Sequence, residues 1–532
     1  MALIYPNTRE VAFASLGFLK VFGMLRSRVG LADVSYLPDS RSAAGGLTSP
    51  RRHPLLGHFT RREVRSFDVV ALSISYENDF IHVPEMLLSA GIEPRAERRA
   101  GAGARAGARG GARVGGFPLV IFGGFVMSLN PLPIADFADA VVVGEAEPVI
   151  DDLLAALSGA REAGGAEGWP AAGAGKAEAE AGAGRATLLR HLSGIPGIWV
   201  PSLGEAAVRR VWAPTAAIAP ESPADLPGEP GSHFGDMYLV ETGRGCGRGC
   251  FFCAAGNLYR PVRMRDAATV LARAEGAGRV GLVGTAVGDH PSLVPILREL
   301  TAAGCQVGIS SFRADEMTPE IAELLARGGV KSLAIAPEAG PEALRRRINK
   351  DISDDQLEAA VKMLAAAGIE TIKLYFMIGL PWETDADVGA IVDLVARLAR
   401  VRGRARLAVA AGPFVPKPHT AFQWCGFEDP KVLKRRVARL AGLRKIRGVS
   451  LKVGSLGEAW LEAALARGDR SLADLLLEAA ETGTPVRQLV KARPDLSPTR
   501  ALDMEKPLPW DFIDSGVSGK RLRADFLRAQ QR

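Results

Sequence analysis

Three cysteines stand close together in the loop Cys246-Gly-Arg-Gly-Cys250-Phe-Phe-Cys253. Their spacing, C-x3-C-x2-C in a glycine-rich stretch, lets three thiolates wrap one soft metal cluster. A closed zinc site asks for a fourth ligand at finger spacing. None lies nearby: His233 is upstream across a strand pattern, and Cys305 belongs to a later repeat. Ordinary core cysteines are a poor account of three thiols within eight residues flanked by glycine and arginine. With three ligands, one iron of a four-iron cluster stays open to a substrate or cofactor, whereas four would suggest a pure electron carrier.

The chain that must position this loop has 532 residues, of which 47% are hydrophobic and 23% charged. That globular balance provides apolar mass for two or three cores and excludes a disordered or fibrous protein. With only five cysteines in all, a disulfide-stapled secreted protein is not expected. No apolar run reaches membrane-spanning length, and the longest candidate, Phe117 to Leu129, is short and holds two glycines. The N-terminus opens in an apolar strand pattern without a basic leader, so a cytoplasmic protein with no membrane partner is expected. The net charge of +7 is local. Residues 95–113 carry six Arg and one Glu, and removing their net +5 leaves about +2 on the rest. This Gly/Ala/Arg insert, 95–115, reads as a solvated loop, and nucleic acid is not an expected partner.

Residues 2–5, 68–75, 118–122 and 139–143 are short apolar runs of the kind that form strands buried on both faces, and 9–27 has helical spacing. Alternating strands and helices predict an α/β fold with a doubly wound parallel sheet over 1–158. Residues 159–235 read as a linker with short strands. Its first part, 159–185, is Gly/Ala/Glu-rich and flexible, and 222–232 is a Pro/Gly boundary. A second series has strands near 237–241, 279–284, 306–310, 331–336, 370–378 and 406–411, separated by helical segments. It predicts a partial (β/α)6 barrel over 236–429, with chemistry at the C-terminal strand ends. Residues 430–532 read as mainly helical.

The cysteine loop, with an aromatic residue before its last Cys, resembles the signature of the radical S-adenosylmethionine (SAM) superfamily. Further pieces over 236–420 resemble that family in order. Gly288-Asp289-His290-Pro291 is similar to its Gly-Gly-Glu-Pro element, with Val287 at the first glycine, a shorter acid and an added His. The resemblance implies a [4Fe-4S] cluster on Cys246, Cys250 and Cys253. It implies SAM contacts at Phe252, Gly288, Asp289, Ser310, Arg313, Glu338 and Ile378, the last in Phe376-Met-Ile-Gly-Leu-Pro-Trp-Glu-Thr384. Residues 1–158 look like the cobalamin-binding-type domain that precedes many such barrels. Ser73, Ser75, Gly123, Gly124 and Gly144 are its candidate cofactor contacts, although no Asp-x-His-x-x-Gly is present to supply a cobalt ligand. The whole chain most resembles an uncharacterised group of these fused proteins.

What the resemblance implies chemically is reductive cleavage of SAM to methionine and a 5′-deoxyadenosyl radical. An electron donor such as flavodoxin or ferredoxin would serve it, and cobalamin-dependent methyl transfer is a further option. Arg244 and Arg248 add positive charge beside the loop. Lys417, His419 and Cys425, after the last barrel strand, are candidate substrate contacts, and no catalytic residue is singled out. A second cysteine triad is missing, so an auxiliary cluster is not expected. Two alternatives stay open from the residues alone: a non-catalytic iron–sulfur electron-transfer or sensor protein, and an RNA-modifying radical SAM enzyme guided by the basic insert.

Overall fold

The apolar runs near the N-terminus pair into one sheet because each is too hydrophobic for a solvent-facing edge. The computed structural model of the chain describes residues 1–38, 54–101, 117–163, 177–218 and 237–532. Its strands are β1 (Ala2–Tyr5), β2 (Asp33–Tyr36), β3 (Val69–Ser73), β4 (Leu119–Gly123), β5 (Ala140–Val142) and β6 (Ile198–Trp199), in the order β2-β1-β3-β4-β5-β6. All pairings are parallel except β5 with β6. The helices Arg9–Ala14 and Leu16–Arg28 pack Phe13, Phe18 and Phe22 against Leu3, Tyr5 and Val34. The helices Ile150–Ala163 and Ala177–Ser193 pack Leu153, Leu188 and Leu192 against Val69, Leu119 and Ile121.

Four expectations change here. The helix over 9–27 is two helices, broken where Ser15 turns extended and its Oγ accepts from Phe18 N at 3.4 Å. The strand β2 was not legible, because it is four residues long and begins on an acid. Asp33 is buried at the sheet, and its carboxylate accepts from the backbone N–H groups of Val34, Phe59 and Thr60 at 2.8, 3.0 and 2.9 Å. The stretch 159–185 is not wholly linker, since helices run to Ala163 and from Ala177; 164–176 lies outside the described residues, as do 102–115 and 222–232. The basic insert is not simply a solvated loop. Arg95 and Arg99 are buried: Arg95 pairs with Asp136 at 2.7 Å and with Asp474, and Arg99 donates to the carbonyls of Glu93, Pro94 and Phe137. Two of the six arginines are therefore consumed by the fold.

This sheet belongs to a first unit, Met1–His233 with Ala464–Ser497 and Pro507–Gly516. It also contains a small parallel pair, β7 (Val208–Arg209) with β16 (Ile513–Asp514). The second unit is Phe234–Ala463 with Pro498–Lys506 and Val517–Arg532. The region after 430, expected as one helical block, is thus divided between them.

The second unit holds β8 (Tyr238–Arg244), β9 (Arg263–Met264), β10 (Arg279–Gly284), β11 (Gln306–Ile309), β12 (Ser332–Glu338), β13 (Thr371–Ile378), β14 (Arg406–Pro413) and β15 (Val449–Val453). They form two sheets, β11-β10-β8-β9 and β12-β13-β14-β15, linked by a parallel bridge between Phe312 and Ile335. Every pairing but β8 with β9 is parallel. The six expected barrel strands are present, and β15 extends them from a region read as helical. Hydrogen-bonding side chains start the crossover helices: Thr318 caps Pro319–Arg327, while Ser353 and Thr384 form capping boxes for Asp354–Ala366 and Asp385–Val401. Among the described residues no helix is long and apolar enough to cross a membrane.

In the first sheet the chain leaves β1 toward β2 on one side and toward β3 on the other. Loops diverge at such a reversal and open a crevice beyond the strand C-termini. Asn7 Nδ2, after β1, donates to Asp79 Oδ1, after β3, at 2.8 Å. Asp79 Oδ2 is buried without a partner. Burial pushes this carboxyl up to about 6, against the opposing effect of the Asn7 bond. A raised carboxyl stabilises the fold fully while it is protonated, and that contribution is lost as pH rises through about 6. The urea unfolding midpoint is therefore expected to fall between pH 4.5 and 8, and Asp79→Asn to remove much of that fall, leaving the variant about 1–3 kcal/mol more stable at pH 8.

Candidate functional site

The cysteine loop begins where β8 ends, and it has little regular structure of its own. Gly245 starts it at φ +90°. A β-carbon there would lie 2.3 Å from the Tyr259 carbonyl oxygen, so only glycine lets the loop turn back on itself. Cys253 closes the loop as the N-cap of the helix Ala254–Leu258, its Sγ accepting from Gly256 N at 3.2 Å.

Three other strand ends hold this loop. Arg248 forms a two-pronged pair with Asp289, which follows β10, at 2.9 and 2.8 Å, and also pairs with Glu316, which follows β11. Asn349 Nδ2, after β12, donates to the Gly249 carbonyl at 3.0 Å, and Phe251 N donates to the Ile348 carbonyl at 3.1 Å. Phe251 is buried with Leu344, Ile348, Leu380, Phe414 and Phe422, and Phe252 lies partly buried against the same cluster.

The thiols are close enough to feel one another. Burial pushes Cys250 up to about 11, and proximity to Cys253 adds to this, while Lys350 and Arg313 oppose it. Cys253 is likewise raised by burial and by Cys246. Neutral, partly desolvated thiols of this kind become thiolates only when a metal replaces their protons. Among the described residues no three His, Cys, Asp or Glu side chains converge as a single metal ion requires. A tetrahedral zinc would draw its thiolates to about 3.8 Å from one another. A four-iron cubane instead puts each thiolate on a different iron. Three thiols carried on one short loop are the donor type that an iron–sulfur cluster takes.

The expected SAM contacts gather at the C-terminal ends of β10 to β13. Glu338, at the end of β12, has φ +71° and accepts from Lys350 Nζ at 3.0 Å. Arg313 makes a two-pronged pair with Asp315 at 2.9 Å and donates to the Lys350 carbonyl at 3.1 Å. Ser310 is exposed after β11, and Gly288 packs beneath the Phe312 ring. Ile378 is buried at the end of β13, its carbonyl accepting from Phe414 N at 2.8 Å. The histidine that interrupts the Gly-Asp-Pro element has a packing role: His290 is buried, with Nε2 2.8 Å from the Arg265 carbonyl and Nδ1 accepting from Ser292 N. Arg244 pairs with Glu241 at 2.9 Å.

Lys350 was missed by the sequence reading. It is nine-tenths buried between the left-handed residues Asn349 and Asp351. No spacing rule marks it, since its place comes from the turn after the helix Glu342–Arg347. The candidate substrate residues are less gathered. Lys417 pairs with Glu462 at 2.7 Å, His419 is buried with its backbone N–H on Gln423, and Cys425 lies half-buried beside the Phe422 cluster. Cys305 is buried away from the loop, before β11.

In the first unit, Ser73 and Gly123 are register partners at the ends of β3 and β4, and Ser75 is half-buried just beyond. Gly124 has φ +107° and a backbone contact with Ile74 so close that a β-carbon would reach 2.3 Å from its carbonyl oxygen. Gly144 bridges Val211. These two glycines thus have reasons within the fold. A cavity of about 490 Å³, lined by Met1, Arg28, Arg62, Phe117 and Arg185 among others, opens beside the starts of β1, β3 and β4, away from these residues.

Residues 17–169 match the family model for radical SAM proteins, N-terminal, and 240–395 that for the radical SAM superfamily. An uncharacterised protein of Methanocaldococcus jannaschii is 26% identical over 420 residues, 78% of this chain and 80% of that protein. Among solved structures, the chain resembles the radical S-adenosylmethionine methyltransferase TsrM of Kitasatospora setae. The form with cobalamin and a [4Fe-4S] cluster is 16% identical with a TM-score of 0.52, covering 80% of this chain and 75% of that one. The form with tryptophan and a SAM analogue is 14% identical with a TM-score of 0.53, covering 93% and 99%. At such identities the likeness is one of fold.

Gly245→Ala is expected to destabilise the second unit by about 2–4 kcal/mol through strain and the Tyr259 clash, read as an earlier urea transition than in the parent.

Proposed function

The chain belongs to the radical SAM superfamily, and we propose that it holds a [4Fe-4S] cluster on Cys246, Cys250 and Cys253 and cleaves SAM reductively beside it. When bound, the cluster and SAM supply one-electron chemistry at a sulfonium. The observation that carries this reading is the convergence of that loop with Glu338, Lys350 and Arg313, groups brought from different strand ends. An acid and an ammonium side by side complement the zwitterionic end of an amino acid. Lys350 also sets positive charge against the thiolates, which favours a more reducible cluster. Phe251 and its aromatic neighbours keep water from one side of the loop. Ser310 and Asp289 are further polar contacts in this reading, with Asp289 held in place by Arg248.

The first unit is proposed to take cobalamin at the crevice where the order of β1 and β3 reverses. Ser73, Ser75 and the Gly123-Gly124 turn border that crevice, and Tyr76 stands 60% exposed there. Methyl transfer is the reaction such a pair of cofactors would serve, and the fold shared with TsrM supports it. The cobalt would lack a histidine from the sequence position after β1, where Pro6, Asn7 and Thr8 stand. A one-electron donor such as flavodoxin or ferredoxin and a cytoplasmic location complete the proposal.

Anaerobic purification with cobalamin supplied tests it, followed by iron and cobalt analysis, spectroscopy of the reduced cluster, and assay with SAM. About four irons per chain and 5′-deoxyadenosine or methylated product are expected. Stoichiometric cobalt supports methyl transfer, and its absence favours hydrogen abstraction. Iron-loaded, dithionite-reduced protein that neither binds nor cleaves SAM overturns the proposal. Cys246→Ser, Cys250→Ser and Cys253→Ser should each lose the cluster signal, while Cys305→Ser keeps it. Lys350→Met should lower the cluster's midpoint potential by on the order of 50 mV, since a unit charge near the thiolates is removed from a partly desolvated site.

A further inference from the structure

The outer edge of the cysteine loop is ringed by arginines that the chemistry above does not use. Gly247 is exposed at this edge, with nothing within 4 Å of where a β-carbon would stand. At Gly249, a β-carbon position lies 3.7 Å from Arg260 Nη2 and 4.0 Å from Arg521 Nη2. Arg521 belongs to the helix Gly519–Gln531, which buries Leu522 and Ala529 and sets Phe526 against Trp382 and Trp424. Arg521 and Arg528 are seven residues apart and share one stripe of this helix, side chains 42% and 54% exposed. Asp525 lies between them, 3.6 and 3.4 Å away, and can neutralise only one. Arg532 continues the stripe and donates to the Arg346 carbonyl and to Asn349, the residue that holds Gly249. Exposed Val262, beside Gly245, adds a small apolar patch.

We propose that this face, Arg260, Arg521, Arg528 and Arg532 around the exposed edge of the cysteine loop, docks an acidic one-electron carrier protein. The inference rests on the cluster reading and adds to it the surface by which the electron enters. The carrier loses one electron, the cluster gains one, and no bond forms or breaks at the interface. A short path is the reason for the location, because electron transfer weakens steeply with distance and exposed Gly247 brings the cysteine loop to the surface. Charge complementarity favours an acidic partner and a fast encounter. Single-stranded nucleic acid fits less well, since it uses aromatic stacking platforms, and the exposed apolar residues here, Val262 and Leu527, are aliphatic.

The test uses the full-length, iron-loaded chain with the double substitution Arg521→Glu and Arg528→Glu. Binding of flavodoxin is measured by biolayer interferometry, and SAM cleavage is driven in parallel by reduced flavodoxin or by dithionite. The proposal expects flavodoxin affinity to fall about ten-fold or more at low salt, the difference to shrink at about 0.5 M salt, and the dithionite-driven rate to stay within about two-fold of the parent. Unchanged flavodoxin affinity overturns it. So does an equal loss with both reductants, or lost retention of RNA with flavodoxin affinity unaltered. If the parent cleaves SAM with neither reductant, the cluster reading fails, while the binding comparison still decides this surface.

Discussion

The site depends on the pair between Arg248 and Asp289. The loop that carries the cysteines has too little secondary structure to hold a shape alone, and glycines at 245, 247 and 249 make its unfolded form more varied than usual. A guanidinium fork closed on a carboxylate at 2.8–2.9 Å fixes two directions at once, and Glu316 on the same guanidinium fixes a third. Asn349 on the Gly249 carbonyl then pins the opposite side. The three cysteines are positioned from outside the loop, by the ends of β10, β11 and β12.

Anchoring of that kind concentrates strain and buried charge at the strand ends. Five of the six non-glycine residues with positive φ among the described residues lie at the end of β12 (Glu338) or in the loops after β12, β13 and β14 (Asn349, Asp351, Trp382 and His419). Regular strands below them let the backbone tolerate such conformations. Glu383 illustrates the same economy away from the chemistry. Burial pushes its carboxyl up to about 7, yet the Gly379 N–H at 2.6 Å and Arg436 at 3.0 Å keep it satisfied just ahead of Thr384, the N-cap of the helix Asp385–Val401. In the first unit Asp139 plays a comparable part, buried between Arg99 and Arg185.

Much of the fold was legible because its signals are local. Apolar runs marked β1, β3, β4 and β5 and all six barrel strands, and helical spacing marked the helices between them. β2 and β15 escaped. The first starts on Asp33, which is tolerated in the interior because its own neighbour Val34 and two backbone N–H groups of a distant turn, Phe59 and Thr60, meet it. The second, Val449–Val453, has exposed alternate residues and becomes a strand by pairing with β14. The buried roles of Arg95 and Arg99 were hidden for a like reason: low-complexity composition says nothing about a partner such as Asp136, forty-one residues on.

By itself the sequence determined the cysteine triad, the order of strands and helices, and the positions where strands end, because metal-ligand spacing and hydrophobic period are written in consecutive residues. Tertiary structure decided the rest. It chose Arg248 rather than solvent as the partner of Asp289, and placed Lys350 beside thiols a hundred residues earlier. It also brought the helix Gly519–Gln531 to the cysteine loop. Charge pairing acts through space over a few ångströms, and only a folded chain makes residues so far apart in sequence neighbours at that range.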